Sequence, residues 1–268
     1  MSNVDISPFL NDGYQIFKNV IPKEIVESCR TFLGEKISET LGPAKAEINC
    51  HVDSDLLQYI KRIAEGNNGN GVNSISKATR DALTGHFSLD VRLSPILLDV
   101  AYSDGMVKIL RTILKSHGIY MHMPPTSRYV LPGNIYAGVP PHQDISYNKH
   151  MSDFVTVWVP FVDIDDQCGG VTVYQGSGCS PEINVGQNPS KFWLDGIPTD
   201  GFHPIRCDMK PGDILVLNKY IIHGSCANTS NRTRISTDFR FFGEGSTSSK
   251  HYLDLTAKMV IQPNQGNL

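Results

Sequence analysis

The sequence predicts a mainly β domain with flanking α-helices, a prediction carried by a change of texture and by an absence. Up to about residue 117 apolar residues recur at helical spacing, whereas after Gly118 short β-branched and aromatic runs alternate with Pro, Gly and Asn, as in a sandwich or barrel. No helical stretch is evident after residue 150, which disfavours a parallel βαβ architecture. The 268 residues are expected to form a single domain, with a helical part of about 1–117, a β core of about 118–243 and a tail of 244–268.

In chain order, Pro22 suits the first turn of a helix carrying Ile25, Val26, Cys29, Phe32, Leu33 and Ile37. Asp53 or Ser54 caps a second expected helix with Leu56, Leu57, Ile60 and Ile63. The glycine-rich stretch 66–71 (GNNGNG) lacks the Gly-Lys-Ser/Thr ending of a phosphate loop and reads as a connection or lid edge. A third helical segment is expected at 76–84 and a fourth from 95 to about 115, carrying Leu97, Val100, Ile109, Leu110 and Ile113. Expected strands are 119–123, 127–131, 154–162, 170–174, 214–217 and 232–242, with a long insertion at 176–202.

Composition excludes several classes of function. With 40% hydrophobic and 19% charged residues the chain has an ordinary globular make-up, and a net charge of −3 is no footprint for nucleic acid. No apolar run approaches the ~18 residues of a membrane-spanning helix, and the opening MSNVDISPFLNDGY has neither the basic nor the apolar part of an export signal. The six cysteines form no CxxC pair and read as free thiols, so a cytoplasmic protein is expected, a monomer or homodimer acting on a small molecule.

The informative residues are histidines and carboxylates. Non-heme iron oxygenases bind metal through two histidines and one carboxylate on one face, leaving positions open for co-substrate and O2. Two ligands can come from one strand end at i and i+2, because alternate side chains share a face. Two H-x-D triplets occur. His51-Val52-Asp53 opens an expected helix, where Asp53 has a capping role instead. His142-Gln143-Asp144 follows Pro140-Pro141 between two expected strands. Downstream, Lys210-Pro211-Gly212-Asp213 forms a turn before a buried strand, His223 lies just past that strand, and Arg234 sits in the next β-rich segment. An arginine fork suits the far carboxylate of an acidic co-substrate, and Ser225 adds a hydroxyl from the same side. Taken singly, His223 could be a core histidine, Arg234 a surface arginine and Trp158 core packing; together they point to chemistry.

These residues, with Thr156-Val157-Trp158-Val159-Pro160, Gly169-Gly170-Val171, Pro211-Gly212-Asp213 and His223-x-Ser225-x-x-Asn228-x-Ser230-x-x-x-Arg234, make residues 119–243 resemble the phytanoyl-CoA dioxygenase family. Asp12-Gly13-Tyr14 and the Pro22 helix resemble that family's opening. The resemblance implies a double-stranded β-helix (jelly-roll, cupin-like) core. It further implies an Fe(II) ion on His142, Asp144 and His223, and 2-oxoglutarate as co-substrate with O2. Arg234 and Ser225 would hold the distal carboxylate, with Trp158 and, less directly, Thr156 beside it. The expected reaction is hydroxylation with release of succinate and CO2; desaturation or cyclisation on the same scaffold, or a non-catalytic cupin-like metal module, are the alternatives. An intact Asp144 argues against a halogenase, whose halide takes the carboxylate's place. Gln175-Gly176-Ser177-Gly178 departs from the family's Pro-Gly-Ser-His, so the pocket wall there is expected to differ.

Alternation along the last long strand places Ser236, Asp238 and Arg240 on the face of Arg234. Asp238 and Arg240 can pair with each other, or Arg240 can reach an anionic or polar substrate group. With Tyr147 and Asn148 just after the ligand pair, this suggests a small polar substrate rather than a fatty acyl chain. The remaining histidines, among them His86, His122 and His150, read as surface or structural.

Overall fold

Pro22 precedes the long helix α2, Lys23–Glu47, which lays Val26, Cys29 and Leu33 into the main core. Before it, the short helix α1 (Ser7–Asp12) ends at Gly13, whose φ of 80° lets its N–H reach Phe9 O and turn the chain into β1 (Tyr14–Phe17). The computed structural model describes residues 4–47, 76–77, 81, 84–134, 137–184 and 196–263, with side chains omitted at 43–47. His51-Val52-Asp53, the second expected helix, the glycine-rich stretch and most of 76–84 lie outside the described residues.

The helix expected from 95 to 115 is instead two, α4 (Pro95–Tyr102) and α5 (Asp104–Leu114), preceded by the single turn α3 (Leu89–Arg92). Ser103 makes the break: its backbone is extended (φ −60°, ψ 137°) and its hydroxyl donates to Val100 O at 2.9 Å. A short hydroxyl side chain competes for backbone partners in this way and so favours helix ends. Next to it, a Cβ on Gly105 would lie 2.5 Å from Val20 O, so glycine allows α5 to start close against the chain before α2.

The β core comprises β2 (Ile119–His122), β3 (Thr126–Val130), β4 (Val155–Pro160), β5 (Val171–Gln175), β6 (His203–Arg206), β7 (Ile214–Asn218), β8 (His223–Ser225), β9 (Arg234–Gly243), β10 (Tyr252–Asp254) and β11 (Met259–Ile261). All six expected strands are found within a residue or two of their expected ends. The larger sheet runs β1-β7-β4-β9-β2-β10-β11, with β3 also paired to β9; the smaller runs β6-β5-β8. All their strand pairs are antiparallel. This is the jelly-roll class expected. β1 extends the large sheet from within the part read as helical, and β10 and β11 extend it from the segment read as a tail.

Alternation divides the large sheet into two faces. Val157, Val159, Val216, Phe239 and Phe241 point outward and pack with Leu33, Leu97, Val100 and Leu110 of the helices. Each such burial contributes roughly 1.5–3 kcal/mol, enough together to fix the strand register. The inward face turns towards the smaller sheet. Trp158, Val171, Val173, Leu215 and Leu217 close one end between the sheets, and Phe154, Phe242, Ile145 and Met151 form a separate cluster. A polar cavity of about 300 Å³ remains on the inward face. Cys29, Cys168, Cys179, Cys207 and Cys226 are unpaired. Among the described residues no helix is long and apolar enough to cross a membrane.

Candidate metal centre

His142 and His223 are brought together by the backbone. His142 N donates to His223 O at 2.9 Å and His223 N donates to His142 O at 3.0 Å, so the two residues exchange both bonds across an antiparallel rung. The ladder continues with Ser225 N to Val139 O at 2.9 Å, adding the 139–142 segment beside β8. Gly224 permits this: a Cβ there would lie 3.1 Å from Pro141 N. The rings end 4.3 Å apart. Asp144 begins a 3-10 turn (Asp144–Ser146) stabilised by Asn148 Nδ2 donating to Asp144 O at 2.8 Å, and this turn swings its carboxylate towards both imidazoles. One ligand atom from each of His142, Asp144 and His223 lies within 4.8 Å of the others, and all three residues are buried.

Their surroundings prepare them as ligands. His142 Nδ1 lies 2.8 Å from Pro140 O and His223 Nδ1 lies 3.0 Å from Ile221 O. A carbonyl can only accept, so each Nδ1 carries a hydrogen, which leaves Nε2 as the ring atom turned to the cavity and able to meet a metal. Burial, then the neighbouring His223, pushes His142 down to about 3, keeping it neutral. For Asp144 burial works upward, but Arg240 and the two histidines outweigh it and hold the carboxyl below the usual carboxylate range. Thr156 Oγ1 donates to Asp144 Oδ2 at 2.5 Å, and Arg240 Nη2 donates to Oδ1 at 3.1 Å. Two buried imidazoles and one ionised carboxylate, facing a cavity, fit a divalent iron.

β9 supplies the rest of that wall: Arg234, Ser236, Asp238 and Arg240 all line the cavity, as alternation predicted. Arg234 is 3% exposed, its Nη1 donates to Gly169 O and Gly170 O at 3.0 and 3.2 Å, and its Nε has no partner. Burial lowers its affinity for the proton, Asp238 acting the other way, and among the described residues no carboxylate pairs with it. A buried guanidinium in that condition fits an acidic co-substrate. Ser225 Oγ accepts from Val139 N at 3.0 Å and can still donate its own hydrogen into the cavity. Trp158 lies beside it, 5% exposed, and a Cβ on Gly170 would come within 3.0 Å of its ring.

Some expectations need adjusting. Arg240 does not pair at hydrogen-bond distance with Asp238; its bonds go to Asp144 and, through Nη1 at 3.3 Å, to Thr126 Oγ1, because Asp144 comes within its reach across β4. Tyr147 is at the rim, 38% exposed, with its ring edge-on to His142 at 5.3 Å. Asn148 lines the cavity although its amide nitrogen is engaged by the turn. The Gln175–Gly178 departure packs against Asp12 and Gly13 rather than lining the cavity. His86 and His122, read from the sequence as surface or structural, line the pocket, and so do Arg92 and Arg128, which the sequence did not single out. Alternation on β3 could have placed Arg128 with Thr126; nothing in the sequence marks Arg92, which stands on α3.

Comparison with known proteins agrees with this geometry. The family model for phytanoyl-CoA dioxygenase matches residues 9–236. A 1-deoxypentalenic acid 11-beta-hydroxylase from Streptomyces exfoliatus is 32% identical over 112 residues, which are 38% of this chain and 40% of that protein. The match therefore spans well under half of that relative's length. The fold is shared with the non-heme alpha ketoglutarate dependent epimerase SnoN from nogalamycin biosynthesis, at a TM-score of 0.59 and 14% identity over 91% of this chain and 81% of that one. It is shared also with EctD from S. alaskensis, solved with 2-oxoglutarate and 5-hydroxyectoine, at a TM-score of 0.59 and 15% identity over 89% and 75% of the two chains. With the family model covering most of its length, the chain belongs to the phytanoyl-CoA dioxygenase family of iron- and 2-oxoglutarate-dependent oxygenases.

Proposed function

We propose that this protein hydroxylates a small polar metabolite or natural-product intermediate while converting 2-oxoglutarate to succinate and CO2. The observation that carries the reading is Arg234, a buried guanidinium without a carboxylate partner on the strand that also positions Asp144 through Arg240. A non-catalytic metal module has no need of it. Similar proteins include a hydroxylase and one solved with 2-oxoglutarate and 5-hydroxyectoine, which supports the same reading.

Iron with bound 2-oxoglutarate supplies O2 activation and the oxidising equivalents; one oxygen atom ends in the substrate hydroxyl and the other in succinate. His142 and His223 would hold the metal through Nε2, each fixed by its Nδ1–H bond to a backbone carbonyl. Asp144 would be the third ligand, and Thr156 and Arg240 fix both of its oxygens. Arg234, with the Ser225 hydroxyl, orients the distal carboxylate of the co-substrate. Trp158 walls off that end and limits water. Charged side chains line the 300 Å³ cavity, which suits a small polar molecule better than an acyl chain.

Anaerobic titration of metal-free protein with Fe(II) and then 2-oxoglutarate tests the reading. A weak visible charge-transfer band is expected on the second addition, and its absence from folded protein overturns the proposal. Product mass then separates hydroxylation, which adds oxygen, from desaturation or ring closure, which removes two hydrogens.

A further inference from the structure

Four guanidinium groups and two carboxylates line the cavity: Arg92, Arg128, Arg234 and Arg240 with Asp144 and Asp238. Most of them have work assigned. Arg240 and Asp144 bind each other, Arg128 donates to the carbonyls of Thr84 and Ala137, and Arg234 faces the co-substrate end. Arg92 and Asp238 are left. Among the described residues Arg92 donates only its Nε, to Pro125 O at 2.7 Å, and both terminal nitrogens have no partner there. The Asp238 carboxylate makes no hydrogen bond and no ion pair among the described residues, although it stands on β9 between the co-substrate arginine and Arg240. In register it lies opposite Thr126 on one side and Trp158 on the other, and both of these also line the cavity.

The two groups feel each other electrostatically but are not in contact. A carboxylate placed among apolar and cationic neighbours without a donor is costly, and burial duly raises Asp238 above the ordinary carboxyl range despite Arg240. An uncommitted acceptor on β9 and an uncommitted cationic fork on α3, sharing one cavity beside the metal ligands, form two halves of a recognition site. We propose that Asp238 and Arg92 bind the substrate, Arg92 taking a carboxylate and Asp238 accepting from an ammonium or hydroxyl group, so that the substrate is a small amino or hydroxy acid. This deepens the function proposed above and rests on it. Asp238 would fix the donor-bearing carbon near the metal, while Arg92 fixes the far end.

The test uses the anaerobic Fe(II)–2-oxoglutarate complex of the full chain, whose charge-transfer band establishes first that the underlying reading holds. The probes are a panel of amino acids, their 2-hydroxy counterparts, their methyl esters and their deamino analogues, read by perturbation of the band and by O2-dependent succinate release. At least one member with both groups is expected to respond, with its ester and its deamino analogue each bound at least tenfold more weakly. Asp238→Asn should cost the amine- or hydroxyl-bearing ligand at least tenfold and leave the deamino analogue unaffected. Arg92→Gln should do the same for the free acid and spare the ester. The band in each variant checks that it is folded and loaded, and the wild-type analogue comparison needs no variant at all. Silence across the panel, equal binding of esters and deamino analogues, or a variant that weakens every member alike would overturn the assignment. If wild type shows no band, it is the proposed function that fails, and this inference with it.

Discussion

Replacing Arg234 by methionine should separate stability from co-substrate binding, because the two depend on the guanidinium with opposite sign. In the protein alone the group is buried, donates to two backbone carbonyls through one nitrogen, and leaves Nε unsatisfied. Methionine fills similar space. The lost bonds, from a charged donor, cost roughly 1.5–3 kcal/mol each, but one of the two carbonyls, Gly170 O, keeps a bond from Cys226 N, and an uncompensated charge leaves the interior. The metal-free melting temperature should therefore stay within a few degrees of wild type or rise. Binding should suffer heavily. Removing one partner of a buried charge pair costs roughly 2–5 kcal/mol, or about 30- to several-thousand-fold in affinity. At 2-oxoglutarate one hundred times the wild-type Kd, ligand stabilises wild type by about 2.7 kcal/mol, a shift of roughly 5–10 °C. A variant with affinity reduced a hundredfold or more gains about 0.4 kcal/mol or less, near 1 °C. Anaerobic thermal melting with Fe(II), with and without 2-oxoglutarate, reads both quantities. A retained shift, or loss of Fe(II) binding in the variant, would refute the role given to Arg234.

Thr156→Val removes the hydroxyl that donates to Asp144 Oδ2; Fe(II) affinity by anaerobic titration should fall roughly 10- to 100-fold, and unchanged affinity would show that this bond does not orient the ligand. Burial, above all other causes, holds His86 at about 4 and His122 and His142 at about 3, against 6.5 for a free imidazole. Below pH 6.5 the unfolded chain takes up protons that the folded metal-free protein refuses, so stability is full above 6.5 and falls as pH drops towards 3. Each group contributes a slope of at most about 1.4 kcal/mol per pH unit; denaturant melts at pH 7.5 and 5 should show the loss, and equal midpoints would contradict the neutral assignments.

The chemistry was more legible than the architecture around it. That His142, Asp144 and His223 come together, with Arg234 on the same cavity, was legible through the resemblance to the family, whose motif order they follow, and the inward face of β9 followed from the two-residue period of a strand. Elements that depend on distant pairing were not. β1, β6, β8, β10 and β11 span three or four residues each and owe their existence to partners far along the chain, such as Tyr14 opposite Leu217 and Tyr252 opposite His122. Ser103 hid a helix break inside a continuous apolar pattern, because the periodicity of the two helices nearly matches across it. The wrong partner for Arg240 has the same origin: Asp238 is near in sequence, whereas Asp144 reaches it only through folding. Arg92 was invisible for a similar reason, since a single turn of helix carries no signal of what its one arginine faces.

β9 writes two messages in alternate letters. Ile235, Thr237, Phe239 and Phe241 are buried on its helix-facing side, and Arg234, Ser236, Asp238 and Arg240 line the cavity on the other. Insertion or deletion of one residue would exchange the messages, forcing phenylalanines into the cavity and charges against the helices. Substitution at 236 or 238 alters one message while the other stays intact. A lineage built on this strand can therefore change what it oxidises by single replacements, without renegotiating how it folds, but it has almost no freedom to change the strand's length.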